Sequence, residues 1–539
     1  MRPPAPGAGA RPDRLVQLEW TVALLAAAAA LFGSCLVVSQ AGALWRDEVN
    51  SVNTVSAVSF SDFVRQSEFD SFPLLWLTLL RVWVASGAGA SDLGLRIFGL
   101  LGGLALFAAL GFAALRLGRR PPLVGMALLA VNPEIVCWGA SVRAWGLGAA
   151  LSIVSLVFIH EATARPSRRR IGLAVLFAVL SVQCVFQNPV LLAALVGGAM
   201  AAALVEGQGR RALVPFGIGL AAALSLLPYF PLLLRVGEWR SLAHVPLSLD
   251  ELAGRALAVF VASGPLVLAA WAAFFALAFA GGGLRLRDRA TAGSERGGLI
   301  LLTLVAMLLS SVGLGLFLQR VGHPTESWYF LGWIALLAAC AELAIASSLP
   351  SRARRLALVA LTLLVLAAGL PPALASLAEP QTNVDAIARQ LEEHAESRDL
   401  VVVSPWVFAI SLARYYHGNA PLETIPPLEE HRIHRYDLVK QAMQAPDPIA
   451  PLRERVNAVL ETGGRIFVVG GLSTPPPGKA PPRLPPPPLP GTGWNAEPYE
   501  AAWSAEISAL LRQHATSIRD VEMPRARERA YLRVFEGWR

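Results

Sequence analysis

The sequence predicts an all-α polytopic membrane domain of about 11 transmembrane helices plus an outer interfacial helix, followed by a small C-terminal α/β domain. Three observations predict this. Only 16% of the 539 residues are charged and 55% are apolar, whereas soluble domains carry about 25% charged residues. Apolar runs of about 18 residues or more, enough to cross a hydrocarbon core of about 30 Å, recur between short arginine-containing breaks. After about residue 378 the composition becomes that of a soluble domain.

The first apolar run, about Leu15 to Val38, follows a basic N-terminal stretch. Ala41-Gly42-Ala43 behind it resembles a signal-peptide cleavage site, but the run exceeds the about 7–15 apolar residues of a signal peptide. The sequence therefore favours an uncleaved first span with a cytoplasmic N-terminus. Ten further spans are predicted at about 93–115, 121–138, 144–160, 171–187, 189–206, 212–234, 256–280, 298–319, 328–349 and 356–377.

Arginine clusters lie at every second break between these spans, and acidic residues lie at the breaks in between. Placing the arginine breaks in the cytoplasm satisfies the positive-inside rule. The apolar segment Phe72 to Ala85 is short and contains Arg81, and as a full span it would invert every later loop. We therefore expect it to be an interfacial helix at the outer surface. This threading predicts a multi-pass protein of the inner or plasma membrane, with the first loop and the C-terminal tail outside.

Residues 1–378 are thus predicted to form the membrane domain, and residues 379–539 an extracytoplasmic domain. Thr382 or Asn383 can cap a helix that continues with apolar residues at helical spacing. Branched apolar runs predict buried strands, and strands alternating with helices indicate a small α/β domain. The runs are Leu400 to Val403, Ile466 to Val469 and Tyr531 to Phe535, and a proline-dense extended loop is predicted at 475–490.

Charge and cysteine usage exclude several classes of protein. The net charge of +8 is spread over the loops and forms no basic patch with interleaved aromatic residues, so the sequence does not predict nucleic-acid binding. The four cysteines are isolated and have neither zinc spacing nor a disulfide pattern. No metal site or cofactor is implied by ligand spacing. A divalent cation bound by Asp47 and Glu48 with groups from separated loops stays open.

The most informative motif is Trp45-Arg46-Asp47-Glu48, directly after the first span. Further along the chain come Asp70-Ser71-Phe72-Pro73-Leu74, Leu95-Arg96-Ile97-Phe98 at the start of the second span, Asn132-Pro133, and Ser141-Val142-Arg143-Ala144-Trp145. This ordered set resembles the GT-C membrane glycosyltransferases, especially the protein O-mannosyltransferase and lipid A aminoarabinose transferase group. The residue-level resemblance covers about residues 40–150, and the architecture resembles that group over most of the chain.

The resemblance implies transfer of a sugar from a polyprenyl-phosphate donor to a lipid, glycan or protein acceptor outside the cytoplasm. Such a reaction needs a carboxylate to take the acceptor proton and cations to stabilise the departing phosphate. By resemblance Asp47 is the candidate base. Glu48 faces another direction and would orient the acceptor or pair with an arginine. Guanidinium groups bind phosphate bidentately, so Arg96 and Arg143 are candidates for the donor phosphate.

Three further residues are candidate substrate-binding groups. Glu134 would act as a second acid or form a bridge with Arg143. His323 and Glu326 would line the cavity from the opposite side, or remain solvated loop residues. The chain also departs from the family pattern: Ser71-Phe72-Pro73 stands where relatives often have His-Pro-Pro, and the late outer loop lacks the Arg-Tyr pair. Recognition of the donor phosphate is the step that these departures affect.

A transporter or flippase of lipid-linked sugars is the alternative function. Such proteins favour inverted repeats and helices that are broken near the middle of the membrane. This sequence instead concentrates its ionisable groups at one face, which favours an enzyme with its active site at the membrane surface.

Overall fold

The computed structural model describes residues 13–231, 234, 247–288, 291, 293–322, 325–348, 351–474, 484, 486 and 495–539. Helices form most of this structure. In chain order they are α1 (Arg14–Gln40), α2 (Arg46–Val55), α3 (Phe60–Gln66), α4 (Leu74–Ala85), α5 (Asp92–Ala113), α6 (Val124–Ala130), α7 (Pro133–Gly139), α8 (Trp145–Ala164), α9 (Arg168–Val182), α10 (Asn188–Val205), α11 (Gly209–Leu224), α12 (Leu249–Val261), α13 (Pro265–Leu286), α14 (Glu295–Val321), α15 (Leu331–Ser348), α16 (Arg352–Leu377), α17 (Val384–His394), α18 (Phe408–Tyr415), α19 (Tyr436–Gln444), α20 (Ala450–Glu461) and α21 (Glu497–His514).

Within the described residues, nine helices are long and apolar enough to cross a membrane, and each overlaps one of the predicted spans. They comprise α1, α8, α10, α13, α14 and α16, together with α5, α11 and α15 extended by adjoining turns. The polytopic helical membrane fold with a C-terminal α/β part is therefore confirmed, while the number of crossings stays a prediction.

The two remaining predicted spans form shorter helices. The span at 121–138 is divided into α6 and α7 because Pro133 lacks a backbone N–H and the Asn132 side chain caps a new helix, accepting from the amides of Glu134 and Ile135 at 3.1 Å. The span at 171–187 corresponds to α9, which has 15 residues and falls short of the about 18 that a crossing needs. The predicted interfacial helix is α4, with 12 residues, and Arg81 donates from it to the carbonyl groups of Val55 and Ala57.

Glycines let α5 approach the turn that carries Arg143. A Cβ at Gly99 would lie 2.5 Å from the carbonyl oxygen of Ala140 and 2.6 Å from that of Ser141. At Gly103 it would lie 3.0 Å from the backbone of Gly139 and Ala140. Small residues at such interfaces allow backbones within a membrane to pack closely. The turn before α8 is thereby fixed against α5, and with it the position of Arg143.

A five-stranded sheet follows the last long apolar helix. Its strands are β1 (Leu400–Ser404), β2 (Leu422–Thr424), β3 (Ile466–Gly470), β4 (Ser517–Val521) and β5 (Leu532–Glu536), in the order β2-β1-β3-β5-β4. β1 is parallel to β2 and β3, with Val402 opposite Val468, and β5 is antiparallel to β3 and β4. The three predicted strands correspond to β1, β3 and β5. The predicted loop at 475–490 lies almost wholly outside the described residues, and the domain boundary at residue 378 stays a prediction.

The sheet-containing part packs directly on the loop between α1 and α2. Gly42 forms a parallel bridge with Thr382, and Thr382 in turn bridges Glu528. The Tyr415 hydroxyl accepts from the amide of Leu44 at 2.6 Å and donates to Asp92 Oδ2 at 2.5 Å. These contacts hold the chain segment that leads into the acidic motif between the membrane helices and the α/β part.

Candidate active site

The acidic pair lies in the first turn of α2, which Trp45 precedes as N-cap residue. Acidic side chains are stabilised at this position because the unpaired amides of a helix N-terminus carry partial positive charge. The Trp45 ring packs against those of Trp138 and Trp328, with centroids 5.0 and 5.1 Å away. The start of α2 is therefore anchored to α7 and to the turn before α15.

Glu48 has both carboxylate oxygens occupied by backbone amides. Oε2 accepts from the amide of Trp45 at 2.9 Å, and Oε1 accepts from that of Val142 at 2.7 Å. The residue is only 4% exposed. Among the described residues no arginine pairs with Glu48, contrary to that expectation; the carboxylate caps α2 and fixes the turn next to Arg143.

Asp47 is the more accessible of the two, with its side chain 22% exposed. Its Oδ1 lies 3.1 Å from Nε2 of His434 and 3.5 Å from Nε of Arg46, and its Oδ2 lies 4.0 Å from Nη2 of Arg143. Burial acts to raise the pKa of Asp47. The hydrogen bond and charge of His434, with the charges of Arg143 and Arg46, outweigh burial and hold this pKa well below its ordinary value. Asp47 is thus ionised at neutral pH.

Arg143 is 3% exposed and connects α2 with the segment before α4. Its Nη1 donates to the Asp47 carbonyl oxygen at 2.8 Å and to Ser51 Oγ at 2.6 Å, and it lies 3.3 Å from Asp70 Oδ2. Its Nη2 donates to Ser71 Oγ at 2.8 Å, and the guanidinium stacks 4.4 Å from the centre of the Phe72 ring. Nε is buried and has no hydrogen-bond partner among the described residues.

Asp70 completes this buried network. Its Oδ2 accepts from Ser51 Oγ at 2.5 Å and from Asn50 Nδ2 at 3.2 Å. The sequence motif contains Asp70 and Ser71, but reasoning from the sequence assigned them no role in the site. The conjunction of Asp70 with Arg143 brings together two motifs that are more than 70 residues apart.

The other predicted site residues lie at different distances from this centre. Arg96 is 8% exposed and donates to the Gly42 carbonyl oxygen, so it positions the loop before the acidic motif. Glu134 accepts from the Trp138 indole at 2.9 Å and pairs with Arg527 at 3.3 Å. The expected bridge from Glu134 to Arg143 is therefore wrong, because Arg527 from the C-terminal part neutralises Glu134. Glu326 is exposed, within electrostatic reach of Arg46, and His323 lies outside the described residues.

An apolar cavity of about 120 Å³ adjoins the Arg143 network. Its lining comprises Ser71, Trp145, Thr325 and Tyr329, residues 185–187, and three residues of the last turns of α14, Phe317, Leu318 and Val321. Ser71 therefore contacts Arg143 on one side and this cavity on the other. Within the described part of the chain, no group of three or more His, Cys, Asp or Glu residues is arranged to hold a metal ion.

No family model and no curated protein sequence matches the chain. Among solved structures it is similar to ArnT from Cupriavidus metallidurans bound to undecaprenyl phosphate, with 13% identity, a TM-score of 0.49, and coverage of 84% of this chain and 92% of that one. It is also similar to the archaeal oligosaccharyltransferase AglB from Archaeoglobus fulgidus in complex with an inhibitory peptide and a dolichol-phosphate, with 11% identity, a TM-score of 0.44, and coverage of 92% and 72%. Both are GT-C proteins.

Reasoning from the sequence missed the residues that the C-terminal part contributes. His434 contacts Asp47, Glu528 pairs with Arg46 at 3.3 Å, and Arg527 pairs with Glu134. Burial raises the pKa of Glu528, although the charge of Arg46 opposes this. A dense run of ionisable residues, His431 to Asp437, was the available signal in the sequence. Nothing in the run itself indicates which of its members reaches the membrane domain.

Proposed function

We propose that this protein is an integral membrane glycosyltransferase that moves a sugar from a polyprenyl-phosphate donor to an extracytoplasmic lipid, glycan or protein acceptor. The observation that carries the proposal is the placement of Asp47. An ionised carboxylate, partly open to solvent, lies beside the buried guanidinium of Arg143, and that arginine contacts Ser71, which is one of the residues lining an apolar cavity of the membrane domain. A lipid-linked sugar phosphate needs a cation to bind its phosphate and apolar surroundings for its lipid chain, and this site combines the two.

The reaction is a single displacement. The acceptor oxygen attacks the anomeric carbon of the sugar, and the bond from that carbon to the phosphate oxygen breaks. The electron pair leaves with the polyprenyl phosphate, and the acceptor proton passes to Asp47. Attack from the face opposite the leaving group inverts the configuration at the anomeric carbon.

The lowered pKa of Asp47 makes it a weak base, but it also keeps the carboxylate deprotonated at neutral pH and therefore able to accept a proton. The acceptor hydroxyl becomes more acidic as its bond to the anomeric carbon forms, so a weak base can take the proton late in the reaction. The carboxylate charge also stabilises the oxocarbenium-like character of the sugar in the transition state.

We assign the donor phosphate to Arg143. Its guanidinium faces Ser71 and has a buried Nε without a partner in the described residues, which a phosphate oxygen would satisfy. Arg96 is assigned to positioning of the loop, since its guanidinium donates to Gly42. Glu134, Glu326 and His323 remain proposed substrate-binding residues, as the sequence predicts.

The proposal is tested with purified protein in proteoliposomes, with radiolabelled undecaprenyl-phosphate sugars and an envelope lipid and glycan fraction as acceptor. We expect Asp47→Asn to lower transfer by roughly 10²-fold or more, because general-base catalysis contributes about 10²–10⁴-fold. Donor binding and expression should stay close to wild type. Asp62→Asn is the matched control, since Asp62 lies in the same segment between α1 and α5, and its side-chain partners among the described residues are Ser59 and Arg65.

Two outcomes would contradict the proposal. Near-normal transfer by Asp47→Asn would remove Asp47 from the mechanism. Label that crosses the bilayer unchanged, with none on the acceptor, would instead establish a flippase.

A further inference from the structure

His434 is separated from Asp47 by 387 positions in the sequence, and its Nε2 lies 3.1 Å from Asp47 Oδ1. The residue is 6% exposed. Its ring stacks on that of Tyr436 with centroids 5.4 Å apart, and the Trp406 ring meets it edge-on at 6.0 Å. The two aromatic rings enclose the imidazole and restrict its rotation.

The segment that carries His434 is fixed to one face of α2. Asp47, Asn50 and Asn53 recur at a spacing of three, which places them on the same side of the helix. Asn50 Oδ1 accepts from the amide of His434 at 2.8 Å, and Asn53 Nδ2 donates to the Arg432 carbonyl oxygen at 2.7 Å. These contacts align the C-terminal segment with α2. The position of the imidazole relative to Asp47 is therefore fixed through the backbone of that segment.

The contact assigns different roles to the two oxygens of Asp47. An ionised carboxylate only accepts hydrogen bonds, so Nε2 of His434 carries the hydrogen and donates it to Oδ1. Oδ2 lies 4.0 Å from Nη2 of Arg143, which is beyond hydrogen-bonding distance, and it accepts no hydrogen bond from the described residues. Oδ2 is therefore the oxygen with lone pairs available to an incoming hydroxyl.

We infer that His434 is a positioning residue of the active site, which holds Oδ1 of Asp47 so that Oδ2 faces the acceptor hydroxyl. This inference rests on the proposed function. The C-terminal part thereby completes a site whose base comes from the membrane domain. His434 Nδ1 is buried and has no hydrogen-bond partner among the described residues, so donation through Nε2 is the polar contact that the imidazole side chain makes here.

The expected consequence is a loss of turnover. Without the hydrogen bond from His434, the Asp47 side chain changes rotamer more freely and adopts the reactive geometry less often. A misplacement of about 1 Å can cost roughly 10²-fold in rate. We expect His434→Ala to lower kcat by roughly 10-fold or more and to change the KM for the undecaprenyl-phosphate sugar by less than about 2-fold. His434→Gln retains an amide donor at a similar distance and should recover most of the lost kcat.

His431→Gln is the matched control, because His431 lies on the same segment three positions earlier. It should have wild-type kcat. In an Asp47→Asn background His434→Ala should cause no further loss, since the two residues act as a unit. The inference is overturned if His434→Ala retains wild-type kcat, or if His434→Gln is as impaired as His434→Ala while both variants melt at the wild-type temperature.

A spectroscopic measurement separates this inference from the proposed function. Protein labelled with ¹⁵N-histidine gives the resonances of His434, assigned by their absence in His434→Gln, and Asp47→Asn should shift them. If this shift is seen but wild-type protein transfers no sugar, the contact stands and the glycosyltransferase proposal fails. If transfer depends on Asp47 but the resonances do not respond and His434→Ala is fully active, only the role of His434 fails.

Discussion

Arg143 and Asp70 form a buried ion pair, with Nη1 3.3 Å from Oδ2 and side chains that are 3% and 0% exposed. A buried charge without a partner is strongly unfavourable, whereas two opposite charges together compensate part of the cost of leaving water. Asp70 is further held by Ser51 and Asn50. Arg143 therefore stabilises the fold in addition to any contact with substrate, and experiments must separate the two contributions.

Arg143→Ala should destabilise the protein, because it leaves the Asp70 carboxylate buried without a cation. Loss of one partner of a buried pair costs about 3–5 kcal/mol, so we expect a clear fall in the free energy of unfolding. Arg143→Ala combined with Asp70→Asn should lose less, since the carboxylate charge is then absent. Thermal unfolding in detergent measures both variants.

Donor binding then distinguishes the phosphate role of Arg143 from its structural role. Both the single and the double variant should bind undecaprenyl phosphate more weakly than wild type, by roughly 10-fold or more for the loss of a charge-assisted hydrogen bond. A double variant with wild-type affinity would show that Arg143 acts on the fold alone.

Local patterns in the sequence predicted much of this architecture. Runs of apolar residues located the membrane helices, and the motifs around Asp47 and Arg143 predicted two residues that the structure brings together. The contact of His434 with Asp47 spans 387 positions, and no local pattern reports such a separation. β4 is exposed at its first four residues and β2 has only three residues, so neither shows the buried apolar run by which β1 and β3 were found.

Glu48→Gln should lower stability without removing the base. The glutamate accepts from two buried backbone amides, and glutamine offers one oxygen in place of two. One amide then loses its acceptor, which costs about 1–3 kcal/mol. The melting temperature of Glu48→Gln should fall below that of Glu379→Gln, a control at an exposed position of the chain. Equal melting temperatures would show that the Glu48 contacts contribute nothing to the fold.

The pH dependence of stability should report the environment of Asp47. Its folded pKa lies below its ordinary value, so ionised Asp47 stabilises the fold above the unfolded pKa of about 4. That contribution is lost as the pH falls from there towards the folded pKa. The charged and titratable groups around it are His434, Arg143, Arg46, Tyr436, Tyr329 and Glu528.

The measurement is the difference in melting temperature between wild type and Asp47→Asn. We expect wild type to be the more stable at about pH 6, and the difference to shrink below about pH 4 as the carboxylate takes up a proton. The comparison is repeated in a His434→Gln background, because His434 is the ionisable side chain in direct contact with Asp47 Oδ1. A difference that grows on acidification would contradict the lowered pKa.

Cysteine labelling tests whether the first loop and the C-terminal part occupy the extracytoplasmic side. Asp47 contacts His434, so the two segments must lie on the same face of the membrane.

Cys35 is exposed and the other three cysteines are buried, so the parent for labelling carries Cys35→Ser. In whole cells, an impermeant maleimide should label Ser61→Cys and Asn419→Cys, both at exposed positions, because neither is covered by the fold. Ser167→Cys lies in an arginine-rich break and should react only after permeabilisation. Label at Ser167→Cys in intact cells would reverse the threading, and label at only one of the two outer positions would separate Asp47 from His434 and remove the shared site.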